Sequence, residues 1–360
     1  MAAPKFHTLT IAEIRHPSAG STAIKFGIPD AMKSEFEFVP GQYLTLRATV
    51  DGEDIRRSYS ICSAQSDPQL EVGIKQVEGG KFSNFATTLQ VGDTLQIMPP
   101  QGRFTAQIEP NQPHDYLLLA AGSGITPCLS IAKSVLKQEP DSTITLVYGN
   151  QSTATVMFRQ DINALKDRYT GRLRLFYSLS REPSDLAFLN GRLNGEMVAA
   201  LAEKKLIDLN GFDAAFICGP HEMIEDVSTT LRNLKMAEER IKVELFTTGD
   251  MPAPRPAKRA TRAVDADGIE VAIILDGKRN SLQMDPNTET VLAAAQEAGL
   301  DLPFSCAGGM CCTCRCKIVE GEAAMDVNYS LQDWEIEAGF TLACQSRPVS
   351  KNLVLDFDAT

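Results

Sequence analysis

The chain has 360 residues, 43% of them hydrophobic and 22% charged, which is typical of a globular protein too long for one hydrophobic core. Its net charge of −11 is concentrated near the end, because residues 267–360 contain 15 acidic and 6 basic side chains. This charge disfavours nucleic acid as a partner, and the absence of a long apolar run disfavours a membrane span. No secretory signal is visible, and an odd count of nine cysteines favours a reducing cytoplasm over disulfides.

The first hundred residues predict a small β-barrel or sandwich. Short runs of alternating apolar and polar residues are separated by Gly, Pro and Asp turns, the pattern of an all-β domain. One helix is predicted at Phe82–Leu89, between Gly80 and Gly92. The predicted strands are His7–Ile14, Thr22–Ile28, Tyr43–Val50, Ser58–Ser63, Leu70–Val77 and Thr94–Met98.

From about residue 113 to 247 the pattern changes to alternating strands and helices. This alternation predicts a parallel, doubly wound α/β sheet. The predicted strands are Leu117–Ala121, Thr143–Tyr148, Leu173–Leu179, Ala214–Cys218 and Ile241–Leu245. The predicted helices are Pro127–Lys137, Met157–Lys166, Gly195–Lys204 and His221–Asn233.

Residues 248–266 are rich in Pro and Arg and predict a mobile linker, because closely spaced prolines favour extended chain. The last module reads as α+β. Glu270–Leu275 and Ser281–Met284 predict a hairpin around Asp276-Gly277, and Thr290–Ala298 predicts a helix that ends before Gly299. Further strands are predicted at Arg315–Val319 and Leu353–Phe357.

Four cysteines in this last module have the spacing C-x4-C-x2-C followed by a distant fourth: Cys306, Cys311, Cys314 and Cys344. This is the spacing of a plant-type [2Fe–2S] site. Gly308 and Gly309 allow the loop to wrap closely and to point N–H groups at sulfur. Structural zinc is the alternative, although zinc sites usually pair two C-x2-C units or add histidines. Cys312 and Cys316 do not fit the spacing and are predicted not to be ligands.

Three further motifs precede the cysteines. The first is Arg57–Ser60 (Arg-Ser-Tyr-Ser), the second is Gly79–Ser83 at a predicted helix start, and the third pairs Gly122–Pro127 with Cys218–Met223. Taken singly, each also fits an ordinary strand, turn or core segment. Together they resemble the ferredoxin–NADP reductase superfamily, and residues 267–360 resemble a plant-type ferredoxin. The resemblance implies an antiparallel β-barrel flavin domain (1–110), an α/β doubly wound nucleotide domain (111–247), the linker (248–266) and an α+β β-grasp ferredoxin domain (267–360).

The resemblance implies FAD as the flavin and assigns its contacts. An arginine neutralises a flavin phosphate, an aromatic ring stacks on the isoalloxazine, and a hydroxyl bonds its edge; these roles fall to Arg57, Tyr59 and Ser60, with Ser58 and Lys75 also assigned to the cofactor. N–H groups at a helix start suit a diphosphate. That site is assigned to Gly80, Lys81, Phe82 and Ser83.

The nicotinamide coenzyme is assigned to the paired motifs. Its residues are predicted to be Gly122, Gly124, Thr126, Pro127, Cys218, Gly219, Pro220 and Met223. Ser180 and Arg181 follow a strand where relatives that select NADP hold its 2′-phosphate, so NADPH is predicted over NADH. The Glu244–Phe246 segment is expected at the flavin, and Phe246 is assigned to the cofactor. Tyr59, Ser60 and Cys218 are the predicted catalytic residues.

The order of flavin, nicotinamide and C-terminal ferredoxin resembles the reductase components of bacterial oxygenases. Supporting segments are Arg56–Cys62, Leu146–Asn150 and Met325–Leu331. The resemblance implies an electron-transfer oxidoreductase that uses NADPH, FAD and a [2Fe–2S] cluster and docks through its acidic ferredoxin domain on the oxygenase of an aromatic-degradation pathway. The expected oxygenase has a diiron centre; a Rieske dioxygenase or demethylase is the alternative. A zinc-binding interaction module on a non-catalytic scaffold is the alternative from another class.

Overall fold

The computed structural model describes residues 5–184, 186–245, 269–284 and 290–359. The contacts group the chain into two compact units. One unit contains Thr8–Ile55 and Tyr59–Asp250, and the other contains Met1–His7, Arg56–Ser58 and Met251–Thr360. The predicted linker at 248–266 lies outside the described residues.

The N-terminal part is an antiparallel β-barrel built on a six-stranded sheet with the order β4-β3-β6-β1-β2-β5. Core residues alternate with exposed ones along β1, as in Leu9 and Ile11, whereas β3 is buried without a break from Tyr43 to Leu46. A single short helix, α1 (Lys81–Phe85), packs its buried Phe82 into this core. The strands are β1 (His7–Arg15), β2 (Ser21–Gly27), β3 (Tyr43–Val50), β4 (Glu53–Ser60), β5 (Leu70–Lys75) and β6 (Thr94–Ile97).

The two largest boundary differences between the barrel and the sequence prediction are at β4 and α1. Strand β4 begins at Glu53, five residues before the predicted start, because Asp51 and Gly52 both have positive φ and form a two-residue hairpin turn after β3. Helix α1 ends at Phe85, well before the predicted Leu89. The hydroxyls of Thr87 and Thr88 donate to carbonyls three residues back, which turns the chain out of the helix.

The second part is a five-stranded parallel sheet of order β11-β10-β7-β8-β9 with a hydrophobic cluster on each face. This confirms the predicted doubly wound α/β architecture. The carboxyl ends of parallel strands meet at one edge, where such folds bind ligands. The strands are β7 (Asp115–Ala121), β8 (Thr143–Asn150), β9 (Leu173–Leu179), β10 (Ala214–Gly219) and β11 (Ile241–Leu245), and the helices are α2 (Ile125–Gln138), α3 (Arg159–Arg168), α4 (Gly195–Glu203) and α5 (His221–Asn233).

The third part is an α+β module around a mixed sheet of order β13-β12-β18-β14-β16, beside a two-stranded sheet of β15 and β17. Strands β12 and β18 are parallel, and the other described pairs are antiparallel. The strands are β12 (Ile269–Leu275), β13 (Lys278–Met284), β14 (Arg315–Glu320), β15 (Ala323–Met325), β16 (Phe340–Leu342), β17 (Ser346–Pro348) and β18 (Asn352–Asp356), and the helices are α6 (Val291–Glu297) and α7 (Asp333–Glu337).

The sequence prediction missed the short elements β15, α7, β16 and β17. Helix α7 has only five residues, too few to show helical periodicity, and it is initiated by reciprocal hydrogen bonds between Gln332 and Glu335. None of the helices in the described part of the chain is both long and apolar enough to cross a membrane.

Candidate functional site

The predicted flavin motif lies on β4 and in the turn that leads into α1. Tyr59 is half-buried, and its ring centroid lies 5.5 Å from that of Phe82 at an interplanar angle of 42°. Ser60 is buried, and its hydroxyl donates a 3.2 Å hydrogen bond to the Glu244 carboxylate. Arg57 is exposed with a guanidinium N–H donating to the Arg56 carbonyl at 2.7 Å, and Ser58 is half-buried.

The proposed diphosphate turn offers mainly backbone groups. The Ser83 hydroxyl accepts from the Val77 N–H at 3.1 Å and donates to the Gly80 carbonyl at 3.3 Å, so it is already used in the turn. A Cβ at Gly80 would lie 2.5 Å from that hydroxyl, which explains the glycine. The Phe82 side chain is buried in the barrel core, and Lys81 pairs with Glu53 at 2.5 Å. The side chains of Phe82 and Ser83 are therefore already engaged within the protein, which leaves backbone N–H groups as the groups this turn can offer to an anion.

Three strands bring Ser60, Cys218 and Glu244 together. Cys218 lies beside Glu244 in the parallel register of β10 and β11, and Ser60 reaches Glu244 from the barrel. Burial raises the pKa of Glu244 to about 8, against the opposing effect of the Ser60 hydrogen bond. Burial also raises the pKa of the Cys218 thiol, so it stays protonated and does not act as a thiolate nucleophile. Phe246, predicted to follow this pair, lies outside the described residues.

The two predicted dinucleotide motifs are in backbone contact at the carboxyl edge of the parallel sheet. A Cβ at Gly124 would lie 2.2 Å from the carbonyl oxygen of Cys218, so only glycine allows the two loops to approach this closely. Thr126 is buried and its hydroxyl donates to the Ser123 carbonyl at 3.0 Å. Pro127 lies in the first turn of α2, as a helix-start proline should.

The second dinucleotide motif opens α5. Pro220 is its N-cap, and Met223 is buried beneath Gly219, where a Cβ would lie 2.7 Å from the Met223 methyl group. The N–H groups of this helix start point toward the same sheet edge as those of α2, which suits the anionic groups of a dinucleotide.

Side chains outside the two motifs support these loops. The buried Tyr148 hydroxyl, which sequence reasoning did not assign, donates a 2.8 Å hydrogen bond to the Gly122 carbonyl and fixes that loop, where Gly122 has φ +55°. Lys75, which was predicted, ends β5, and a Cβ at Gly122 would lie 3.4 Å from its Nζ. Tyr148 lies within Leu146–Asn150, a segment that supports the family resemblance. Its hydrogen bond to the Gly122 carbonyl is visible only in the folded structure.

Ser180 and Arg181 are exposed directly after β9. Their N–H groups donate to the Asn150 and Gln151 carbonyls at 3.0 and 2.7 Å, which fixes the backbone but leaves the side chains at the sheet edge. The neighbouring Glu182 carboxylate accepts two hydrogen bonds from Thr153, at 2.7 and 2.8 Å, and these lower its pKa. The acidic group that would suit a ribose diol is therefore already engaged.

The four predicted cluster cysteines come together as two pairs. The thiols of Cys306 and Cys311 are hydrogen-bonded to each other, and so are those of Cys314 and Cys344. The second pair forms because the Ala343 N–H donates to the Cys314 carbonyl at 3.0 Å, next to the β14–β16 ladder. A hydrogen bond from the Cys311 thiol, aided by backbone N–H groups, lowers the pKa of Cys306 to about 5.

The loop N–H groups are aimed at these sulfurs. The Gly308 and Cys311 N–H groups donate to the Cys306 sulfur at 3.3 and 3.4 Å, and the Gln345 side chain donates to the Cys344 sulfur at 3.6 Å. Such donors stabilise metal-bound thiolates. Cys316 is fully buried against the Thr341 carbonyl, and the Cys312 thiol lies 3.0 Å from the Ser330 hydroxyl. Cys312 and Cys316 thus have partners of their own in Ser330 and Thr341.

The arrangement of the four cysteines can be compared with the ligand sets of zinc and of an iron–sulfur cluster. Within the part of the chain that the structure describes, no three His, Cys, Asp or Glu side chains converge on one ion position. Structural zinc needs four ligands around a single ion. A [2Fe–2S] cluster has two irons and four thiolate ligands. The two neighbouring cysteine pairs therefore supply the four thiolates that a two-iron cluster needs.

Three family models match successive parts of the chain. They are an oxidoreductase FAD-binding domain at residues 8–106, an oxidoreductase NAD-binding domain at 118–229 and a 2Fe-2S iron–sulfur cluster binding domain at 273–349. Together with the loops and cysteine pairs above, they define an electron-transfer oxidoreductase with FAD, a nicotinamide coenzyme and a 2Fe-2S cluster.

The chain belongs to the family of oxygenase reductase components that includes a subunit of the 1,2-phenylacetyl-CoA epoxidase of Escherichia coli K12, with which it is 41% identical over 98% of both chains. It is 32% identical to the ferredoxin reductase component of the Rhodococcus rhodochrous 3-ketosteroid-9-alpha-monooxygenase over 97% of this chain and 96% of that one. The solved phthalate dioxygenase reductase has the same fold, with a TM-score of 0.57, 21% identity and 98% of both chains covered.

Proposed function

We propose that this protein is the reductase component that supplies electrons from NADPH to a phenylacetyl-CoA epoxidase. The observation that carries the proposal is the 41% identity, over nearly the full length of both chains, to the epoxidase component of E. coli. We also propose domain boundaries at about residues 110, 247 and 266, a proposal supported by the positions of the three family matches at 8–106, 118–229 and 273–349.

The proposed binding residues follow the geometry of the site. FAD would lie against Tyr59 and Ser60, with the diphosphate at the Gly80–Ser83 turn, and the coenzyme would lie across the Gly122 and Cys218 loops. Bound FAD supplies the exchange between two-electron hydride chemistry and the one-electron chemistry of an iron–sulfur cluster. Glu244, with its raised pKa, holds a proton at the Ser60 hydroxyl near neutral pH.

We propose NADPH as the preferred coenzyme because Arg181 is exposed at the sheet edge while Glu182 is held by Thr153. Replacing Arg181 by Gln should lower kcat/KM for NADPH by about tenfold or more, the value of a charge-assisted hydrogen bond, and leave NADH unchanged. Arg168→Gln, at an exposed arginine of α3, is the matched control. An equal loss with both coenzymes would contradict the assignment.

We propose that the oxygenase docks on the acidic module of residues 269–359 through helix α7. Trp334 and Ile336 are 57% and 43% exposed on this helix, with Asp333 and Glu337 beside them. The helix lies next to the cluster loop, because the buried Glu335 pairs at 3.0 Å with Arg315, which directly follows Cys314. An aromatic anchor inside an acidic rim fits an oxygenase surface with a basic rim around an apolar centre.

The location of the protein is also part of the proposal. None of the nine cysteines, all of which lie in the described residues, is in a disulfide, and five lie between residues 306 and 316. Cysteines at this density without disulfides suit a reducing compartment. We therefore place the protein in the cytoplasm, where its coenzyme is available.

The test is reconstitution of turnover with purified oxygenase components. Holoprotein with NADPH should support epoxidation of phenylacetyl-CoA by its epoxidase. Trp334→Ala should raise the oxygenase concentration needed for half-maximal rate by about tenfold, as expected for an interface hot spot, without changing ferricyanide reduction. Val91→Ala, at a 63% exposed residue of the barrel, is the control. Turnover only with another oxygenase, such as a steroid monooxygenase, would overturn the pathway assignment and keep the reductase class.

A further inference from the structure

A partly buried group of four charges links the barrel to the parallel-sheet domain within one compact unit. Arg15, the last residue of β1, makes two bidentate pairs. Its guanidinium donates to the Glu71 carboxylate of β5 at 2.6 and 3.0 Å, and to the Asp161 carboxylate of α3 at 2.8 and 2.9 Å. Glu71 belongs to the barrel and Asp161 to the parallel-sheet domain, so one guanidinium joins both. Bidentate geometry of this kind fixes orientation as well as distance.

Lys133 of α2 completes the group. Its ammonium lies 3.6 Å from Asp161 and 4.0 Å from Glu71, and donates to the Cys62 carbonyl of the barrel at 3.0 Å. The positive charges of Arg15 and Lys133 thus balance the negative charges of Glu71 and Asp161. The Glu71 side chain is only 3% exposed. Burial opposes the charge of Asp161, but Arg15 and Lys133 outweigh it and lower the pKa of that carboxyl. We call Arg15, Glu71, Lys133 and Asp161 the seam cluster.

Phe158 lies beneath the seam cluster in a strained conformation. It is fully buried and has φ +57°, the left-handed region that a bulky side chain rarely occupies. Its ring centroid is 5.2 Å from the Arg15 guanidinium and 6.0 Å from the Lys133 ammonium. Strain of this sort persists only where the surrounding contacts hold it.

The Phe158 ring fits against a glycine of the barrel. A Cβ at Gly73 of β5 would lie 2.8 Å from two atoms of the Phe158 ring and 2.8 Å from the Thr126 methyl group. Thr126 belongs to the dinucleotide loop, and Lys75, assigned to the cofactor, lies two residues further along β5. The ring therefore packs where the flavin-binding strand and the coenzyme-binding loop meet.

We infer that Phe158, seated on Gly73 and held by the seam cluster, positions the coenzyme-binding loop against the flavin-binding barrel for hydride transfer. The inference rests on the assignment of FAD to the barrel and of the coenzyme to the parallel-sheet domain. Bound coenzyme would supply a hydride, with its electron pair, to bound FAD, so the residues that hold the coenzyme-binding loop against the barrel would set the rate of this transfer. Misplacement by about 1 Å is enough to lower such a rate by about a hundredfold.

The test uses Gly73→Ala and Asp161→Asn in the full-length holoprotein. The added methyl of Gly73→Ala must move the Phe158 ring or Thr126, and Asp161→Asn removes the carboxylate that ties α3 to Arg15. Both variants should lower the limiting rate of flavin reduction by NADPH, measured by anaerobic stopped flow, by about tenfold or more. Binding of NADP⁺, FAD content and iron content should stay within about twofold of wild type. Glu13→Gln is the control, because the 2.7 Å ion pair of Glu13 with Lys25 joins two strands of the barrel and does not reach the parallel-sheet domain.

A second readout does not depend on turnover. Amide hydrogen exchange of the apoprotein should rise in residues 71–75 and 156–162 in both variants, and not in Glu13→Gln. If Gly73→Ala does not fold, Asp161→Asn alone decides. The inference is overturned if these variants melt at a lower temperature but keep the wild-type limiting rate of flavin reduction. The seam cluster would then stabilise the fold without positioning the coenzyme-binding loop. A proportional loss of NADP⁺ binding would overturn it as well. Failure of epoxidation alone would count against the proposed partner and not against this inference.

Discussion

The dinucleotide loop at Gly122–Pro127 and the cysteine loop at Cys306–Cys314 both depend on glycine, but for different physical reasons. At Gly124 a Cβ would meet the backbone of a neighbouring strand, with Cys218 O at 2.2 Å. At Gly309, where φ is +76°, the nearest atom is a Val327 methyl at 3.0 Å, with the Val327 carbonyl at 3.1 Å. The first contact cannot relax, whereas the second requires Val327 to shift by only a few tenths of an ångström.

The difference shows what holds each site together. The dinucleotide loop is built by a parallel sheet, and Tyr148 adds a hydrogen bond to it. Between α6 and β14 the cysteine loop contains no strand or helix within the described residues, so its shape depends on N–H groups aimed at sulfur. The dinucleotide loop is therefore preformed, and the cysteine loop is completed when its cysteines bind the metal cluster.

The largest expected effect is at the cysteine loop. Cys344→Ser removes one ligand of the second cysteine pair, and the protein should lose its two irons and the 2Fe-2S absorbance. FAD content and the reduction of flavin by NADPH should persist, because the barrel and parallel sheet do not use this loop. Iron analysis and visible spectra are the measurements. Cys312→Ser is the matched control and should keep both irons; iron loss in that variant would contradict the ligand assignment.

The second largest effect is expected at the dinucleotide loop. Gly124→Ala places a methyl against the Cys218 carbonyl and should cost about 1–3 kcal/mol of unfolding free energy, as overpacking does. Coenzyme binding should weaken more than tenfold, because the two loops separate. Denaturant unfolding and NADP⁺ titration measure both. Gly211→Ala, where the nearest atom is at 3.6 Å, should behave as wild type.

A pH effect should appear in the unit that contains Glu244. Burial raises the pKa of this carboxyl to about 8 in the folded protein, so the folded state holds a proton that the unfolded chain releases near pH 4.5. Its contribution to stability is thus full below about pH 4.5 and is lost as the pH rises to about 8. Melting of apoprotein between pH 5 and 9 should show this decline, and Glu244→Gln should flatten it. An unchanged slope in the variant would exclude Glu244 as the source.

The smallest expected effect is Gly309→Ala. The left-handed conformation costs a non-glycine residue about 1–2 kcal/mol, and the Val327 contact relaxes at little further cost. The variant should still incorporate two irons, with a modest fall in the melting temperature of the iron–sulfur module. Complete loss of iron would show that this glycine is as constrained as Gly124 and would remove the contrast between the two loops.

The sequence predicted the β-barrel, the parallel α/β sheet and the α+β module, because hydrophobic periodicity is a local property of the chain. Motif resemblance indicated the family, and cysteine spacing predicted that the four cysteines converge. The sequence did not predict the start of β4, although Asp51-Gly52 is a hairpin signal, nor α7, which is too short to be periodic. The Tyr148 bond to Gly122 and the seam cluster join residues far apart in sequence, such as Arg15 and Asp161. Those contacts exist only after the sheet order is set.

One anaerobic experiment decides whether the protein carries electrons from NADPH to a two-iron cluster. Purified holoprotein is analysed for iron, sulfide and zinc, and its visible spectrum is followed after one equivalent of NADPH. We predict two irons and two sulfides per chain, one FAD, and bleaching of both the flavin and the iron–sulfur bands. One zinc per chain, or flavin bleaching with an unchanged iron–sulfur band at equilibrium, would contradict the account.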